Sequence, residues 1–258
     1  LVYADNQRPL FLNIVDSKDE VFLRYRGETP NRLFINYFAD PLPIAPPPFS
    51  NSTAGLLSEK DSRLKKLDGL KKTPFSLTKN GVYFIRVDTV ASQGLPVYNF
   101  GAHYPRVKTA AQMLGPLRYL LSTREYEKLK GRSNLKLAID NFWLGLTSNM
   151  EDARQLIKIF YNRVTFANIY FTSLTHGWNS DSGMIYTVFG PPHAVKMCRE
   201  FVDWVYGDRE GLNNISFYFR KIDTPFSPNH FVLNRKIAYE SHWSNAVDTW
   251  RQGKVFSY

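Results

Sequence analysis

A single cysteine, Cys198, stands in a chain of 258 residues. An internal disulfide and a cysteine-built zinc cluster are therefore excluded. No stretch approaches the roughly eighteen uncharged apolar residues of a membrane-spanning helix. Charged residues are scarce at 22%, while 43% are apolar, a balance too hydrophobic for a disordered chain. The signatures GxSxG, GxxxxGK[ST] and GxGxxG are missing, and with them the sequence-readable routes to common hydrolase and nucleotide chemistry. The histidines His103, His176, His193, His230 and His242 show no HxxxH or HxH spacing.

Acids are the scarcer sign, 23 against 33 Lys and Arg, which leaves a net charge of +10. Residues 1–104 hold 13 basic and 10 acidic side chains, and residues 105–258 hold 20 and 13. Bases and acids are interleaved in both parts. Two basic clusters stand out: Arg63, Lys65, Lys66, Lys71 and Lys72, then Arg118, Arg124, Lys128, Lys130, Arg132 and Lys136. Neither belongs to a recognisable nucleic-acid module, so nucleic acid is not an expected partner. Solvated faces are the plain reading, with anionic lipid headgroups or an acidic protein surface as alternatives. Aromatics are abundant, with 19 Phe, 15 Tyr and 5 Trp.

The length suits one large domain or two modest ones. Residues 1–104 read as β structure: 10–15, 20–26, 32–38, 74–77, 82–87 and 97–102 are short apolar runs closed by turn residues. Asn80-Gly81 supplies a hairpin turn. The segment 41–53 carries Pro41, Pro43, Pro46, Pro47 and Pro48, and neither a ladder nor a helix tolerates that density. It reads as an exposed polyproline-like arm or a long loop, with Pro46, Pro47, Pro48 and Phe49 as candidate partner-binding residues. From residue 105 helical spacing takes over, over 109–130, 135–146 and 150–171. Ser148 or Asn149 supplies the cap of the third helix. Strands are expected at 184–189, 201–206, 215–220 and 231–233, and a closing helix at 239–251. The expected fold is α+β: a β-sandwich-like domain over 1–104, then helices packed on a small antiparallel sheet over 105–258.

The most distinctive segment is Gly177-Trp178-Asn179-Ser180-Asp181-Ser182-Gly183, followed by 184–189 and Gly190-Pro191-Pro192. It reads as turn, strand, turn: Ser180 and Asp181 bond nearby amides, Gly183 takes a positive φ, and Trp178 packs beside the preceding helix. The segment resembles the signature of the GWxTD-domain family of bacterial proteins. Further landmarks occur in order: Phe142-Trp143, the run from Phe160 to Asn168, Trp204-Val205-Tyr206, Phe217-Tyr218-Phe219, and Trp243 to Gly253. The resemblance covers roughly residues 105–258. Two positions depart from the pattern: Ser182 stands where the family has Arg, and His193 where it has Asp. Arg163 is the expected substitute partner for Asp181.

The resemblance implies a cell-envelope protein, extracytoplasmic and often a lipoprotein, without an established activity. Leu1-Val2-Tyr3-Ala4 has neither the basic n-region nor the apolar core of an export signal, which leaves room for a removed leader. The expected role is a noncatalytic adaptor or structural subunit of an outer-membrane-associated protein complex, serving protein export or outer-membrane assembly, with no cofactor. Motif residues in this reading are Gly177, Trp178, Asp181, Gly183, Gly190, Pro191, Pro192 and Arg163. Two alternatives stand beside it: a hydrolase or metal-dependent enzyme built on His176, Asp181 and His193, and a carbohydrate-binding module.

Overall fold

The computed structural model describes all residues except 6, 11, 23, 25–31, 40–41, 53–61, 69–73, 90–93 and 208–213. Lys71, Lys72, Pro41, Thr53 and part of the 20–26 run therefore lie outside the described residues. The architecture is α+β. A two-stranded ribbon, β1 (Val2–Tyr3) with β2 (Val21–Phe22), precedes a four-stranded antiparallel sheet. That sheet has the order β4 (Arg63–Asp68), β3 (Arg32–Phe38), β5 (Gly81–Arg86), β6 (Leu95–Asn99). Helices α1 (Ala110–Leu114), α2 (Thr123–Lys130), α3 (Leu135–Leu144), α4 (Met150–Phe171) and α5 (Asp181–Phe189) follow. A second antiparallel sheet has the order β10 (Phe231–Leu233), β9 (Ile215–Lys221), β8 (Phe201–Tyr206), β7 (Ala194–Met197), and α6 (Glu240–Arg251) closes the chain.

Strand β5 is buried at every position, because both faces of its sheet are covered. One face packs Leu33, Ile35, Tyr83, Ile85 and Val97 against Leu10, Val15 and Val21. The other sets Phe38, Val82, Phe84 and Tyr98 against Leu174 and Phe226 from the second half of the chain. Phe226 meets Phe38 and Phe84 edge-on, with centroids 4.9 and 5.1 Å away, the arrangement aromatic quadrupoles favour. The runs 10–15 and 74–77 form only isolated bridges, at Ile14 and Phe75. The basic run 63–68 is itself a strand, β4, whose exposed cations line the sheet's outer edge.

The expected helix over 109–130 is broken. Pro116 lacks a donor N–H, so α1 passes into a 3₁₀ turn at Gly115–Tyr119. Ser122 and Glu125 then form a capping box that starts α2. Asn149 caps α4, accepting from Asp152 N at 2.9 Å. Around α4 lies the main core, where Trp143, Phe160, Trp250, Phe217 and Phe219 are fully buried. Four of the five tryptophans are buried, and Trp178 packs against the same core.

The expected strand over 184–189 is instead helix α5, buried at all but one of its positions. A helix buried on every side shows no amphipathic period, so β-branched and aromatic composition misdirects the reading. Strand β7 occupies residues for which no strand was expected. Phe226 is the prop between the first sheet and the rest of the chain, and Phe226→Ala should cost about 3–5 kcal/mol. Urea unfolding followed by tryptophan fluorescence measures that loss.

Candidate functional site

The signature turn is built from close backbone approaches. Gly177 lies against α4, where a Cβ would sit 2.1 Å from Ala167 O. A Cβ on Gly183 would sit 1.8 Å from Gly177 O. Gly183 is therefore required by contact inside a helix, not by a positive φ. Ser180 is the N-cap of α5: its Oγ accepts from Gly183 N at 3.0 Å and donates to Gly177 O at 2.7 Å. Trp178 N donates to Asn168 Oδ1 at 3.1 Å, while its ring rests on Gly115, where a Cβ would approach to 2.7 Å. The ring thus also packs on the 3₁₀ turn. Gly190 ends α5 with a φ of +86°, and Pro191 and Pro192 prevent continuation.

Asp181 is wholly buried and pairs with Arg235, whose side chain is almost as enclosed. Arg235 Nη1 donates to Asp181 Oδ2 at 3.0 Å and Nη2 donates to Oδ1, a two-pronged fit natural to guanidinium and carboxylate. Leu233 N adds a donor to Oδ2 at 2.7 Å. The expected Asp181–Arg163 pair is not formed. Arg163 instead donates to Val188 O at 3.0 Å and Phe256 O at 2.8 Å, with its guanidinium 5.1 Å from the Trp250 ring centroid. Desolvation lowers its pKa to about 10. It ties α4 to the ends of α5 and the chain, and its guanidinium occupies the space a Gly190 Cβ would need.

The proline segment is a strap bound to the chain's own body. Arg235 Nε and Nη2 donate to Pro47 O and Pro46 O at 3.3 and 3.1 Å. Lys236 N donates to Pro48 O at 3.2 Å. Asn179 Nδ2 donates to Leu42 O at 2.9 Å, and Ala45 N donates to Asn179 O at 3.1 Å. Pro48 is buried, Phe49 packs on the main core and Pro47 is exposed. The exposed-arm alternative is therefore corrected to a docked loop: the carbonyls of Leu42, Pro46, Pro47 and Pro48 are filled from within.

His176, Asp181 and His193 are engaged separately. His176 stacks on Phe100 with centroids 4.3 Å apart, and burial lowers its pKa to about 4. His193 Nδ1 accepts from Gly207 N at 3.0 Å. Among the described residues, no group of three His, Cys, Asp or Glu side chains is placed to hold a metal. Sequence reasoning missed a Ser173–His230 pair, with Oγ and Nδ1 3.2 Å apart. Both are buried, at 1% and 6% exposure, which denies a substrate access to the hydroxyl. No local signal could have joined residues 57 positions apart.

The sheet edges differ in their protection. Edge strand β4 carries Arg63, Lys65 and Lys66, cations that discourage pairing. Along β6, Val15 N donates to Tyr98 O and Tyr98 N to Asn13 O, at 3.0 and 2.8 Å. At β10, Asp181 takes Leu233 N. Edge strand β7 is different. Val195 and Met197 face the same side as Trp204 and Val202 of β8, the core side of the sheet, yet are 48% and 75% exposed. Beside them opens a cavity of about 290 Å³ walled by Tyr170, Phe171, Tyr186 and Trp204.

The arrangement defines an α+β domain whose signature turn wedges two glycines and a buried Asp–Arg pair between a long helix and a four-stranded sheet. The chain belongs to the GWxTD-domain family: the family's GWxTD domain model matches residues 81–252. The match begins at the first residue of β5, upstream of the residue-105 start suggested by the landmarks. No curated protein and no solved structure matches the chain. Among the described residues no helix is long and apolar enough to cross a membrane.

Three outcomes test this geometry. Gly183→Ala should abolish stable folding or cost more than about 3 kcal/mol, since backbone must move; circular dichroism and thermal melting read it. Arg235→Met strands a buried carboxylate and should cost about 3–5 kcal/mol. Adding Asp181→Asn should recover part of that loss, which a double-mutant cycle measures. His176 binds its proton less readily folded than unfolded, so stability should rise with pH between about 4 and 6.5. His176→Phe should flatten that rise in pH-dependent urea titrations.

Proposed function

We propose that this GWxTD protein is a noncatalytic adaptor subunit of an extracytoplasmic protein complex, working at the outer membrane in protein export or membrane assembly. The observation that carries the reading is the uncovered inner side of β7. Among the described residues, edge strand β4 is charged and β6 and β10 bond neighbouring groups, whereas Val195 and Met197 expose core-type side chains beside an aromatic-walled cavity. In an antiparallel pair the residues alternate between bonding the neighbour and pointing away. Cys198 N bonds Phe201 O, which turns the backbone groups of Val195 and Met197 towards the open edge. An extended partner segment placing one apolar side chain in the cavity would satisfy both the edge and the pocket. The signature turn supports the same reading, because Gly177, Gly183, Ser180 and Asp181 are consumed by internal contacts and bonds. The envelope assignment rests on the family resemblance.

Gentle purification from native membranes should return the protein with stoichiometric partners. A photo-crosslinker at Met197 should label one of them, and Val195→Lys with Met197→Lys should release it without changing the melting temperature. Recovery as a free monomer, or partner retention by the double variant, defeats the adaptor reading.

A further inference from the structure

We propose that the hollow beside the signature turn binds a small planar carboxylate, an aromatic acid in chemical class. A cavity of about 240 Å³ lies between α1 and the turn. Four rings form its walls: Phe100, Tyr104, His176 and Trp178. The Phe100 and His176 rings are nearly parallel, inclined by 25°. Tyr104 meets both edge-on, with centroids 5.2 and 5.5 Å away. Such walls accept a flat apolar body by stacking and edge contacts.

Most polar groups in the lining are already spent. Asn168 accepts from Trp178 N and donates to Pro105 O. Gln112 caps α1 and donates to Ala102 O. Tyr104 OH takes Gly177 N at 3.0 Å and meets Thr172 Oγ1. Of the lining side chains that keep free valences, Arg106 and His176 suit an acid. The Arg106 side chain, exposed at the lining, has no ion-pair or hydrogen-bond partner among the described residues. The His176 ring nitrogens likewise make no hydrogen bond there. A guanidinium fork matches a carboxylate in two parallel bonds, and the imidazole can bond a second polar atom on the ligand. One cation, flat walls and a small volume favour a compact monoanion over a phosphate ester or an extended chain.

The site does not depend on the adaptor reading, and the purified full chain suffices to test it. Benzoate and phenylacetate are the probes, with benzamide as the uncharged control, read by ligand-observed NMR and calorimetry. Both acids should bind saturably, at least tenfold more tightly than benzamide. Arg106→Gln should lose at least tenfold towards the acids and leave benzamide unchanged. Ala111→Phe, an exposed α1 position at the lining, should block all three while the circular dichroism spectrum stays native. Absence of saturable acid binding by the wild-type chain overturns the proposal. So does full acid affinity in Arg106→Gln or in a folded Ala111→Phe.

Discussion

The buried pair between Asp181 and Arg235 is the constraint on which the second half of the chain depends. Removing two charges from water costs several kcal/mol per ion unless every lone pair and proton is matched. Here the matching is nearly complete: both carboxylate oxygens face the guanidinium, and Leu233 N adds a third donor. Of the three remaining guanidinium protons, one on Nη2 goes to Pro46 O and that on Nε to Pro47 O. One residue pair thereby fixes the start of α5, the end of β10 and the strap together. Its value is positional, since three elements can satisfy it only in one arrangement.

The glycines complement that electrostatic constraint with a steric one. Gly177 and Gly183 let α4, the turn and α5 approach more closely than any side chain permits. Trp178 then fills the space next to Gly115, and Asn168 holds the indole residue's backbone. The signature is thus a packing and capping device.

How much of this was legible follows physical locality. The 22-residue α4 was visible in full because it is amphipathic and capped at Asn149. Strands β3 and β8 were equally plain as runs of apolar and aromatic residues, with β8 alternating in burial. Helix α5 was misread because burial on all sides erases the period; Ser180 followed by Asp181 was the one local cap signal. The break at Gly115-Pro116 was in principle readable from proline chemistry. The partner of Asp181 was not, because a salt bridge spanning 54 residues leaves no mark on either neighbourhood. The strap was recognised as irregular from its prolines, but composition says nothing about what fills its carbonyls. The cavity walls suffered the same limitation, bringing Phe100 and Arg106 against His176 and Trp178 from a distant segment.

The strap also sets an order on folding. Its bonds to Arg235 join residues 188 and 189 positions apart, among the largest loops this chain can close. Loop closure of that span must be completed before the contact stabilises anything. The bonds of Pro46 and Pro47 therefore form only once the chain through Arg235 is in place. A chain emerging from its N-terminus would carry this segment unattached until nearly all the rest had followed. For that interval the Pro46 acceptor is open to water or to another chain, and the bond from Arg235 closes it.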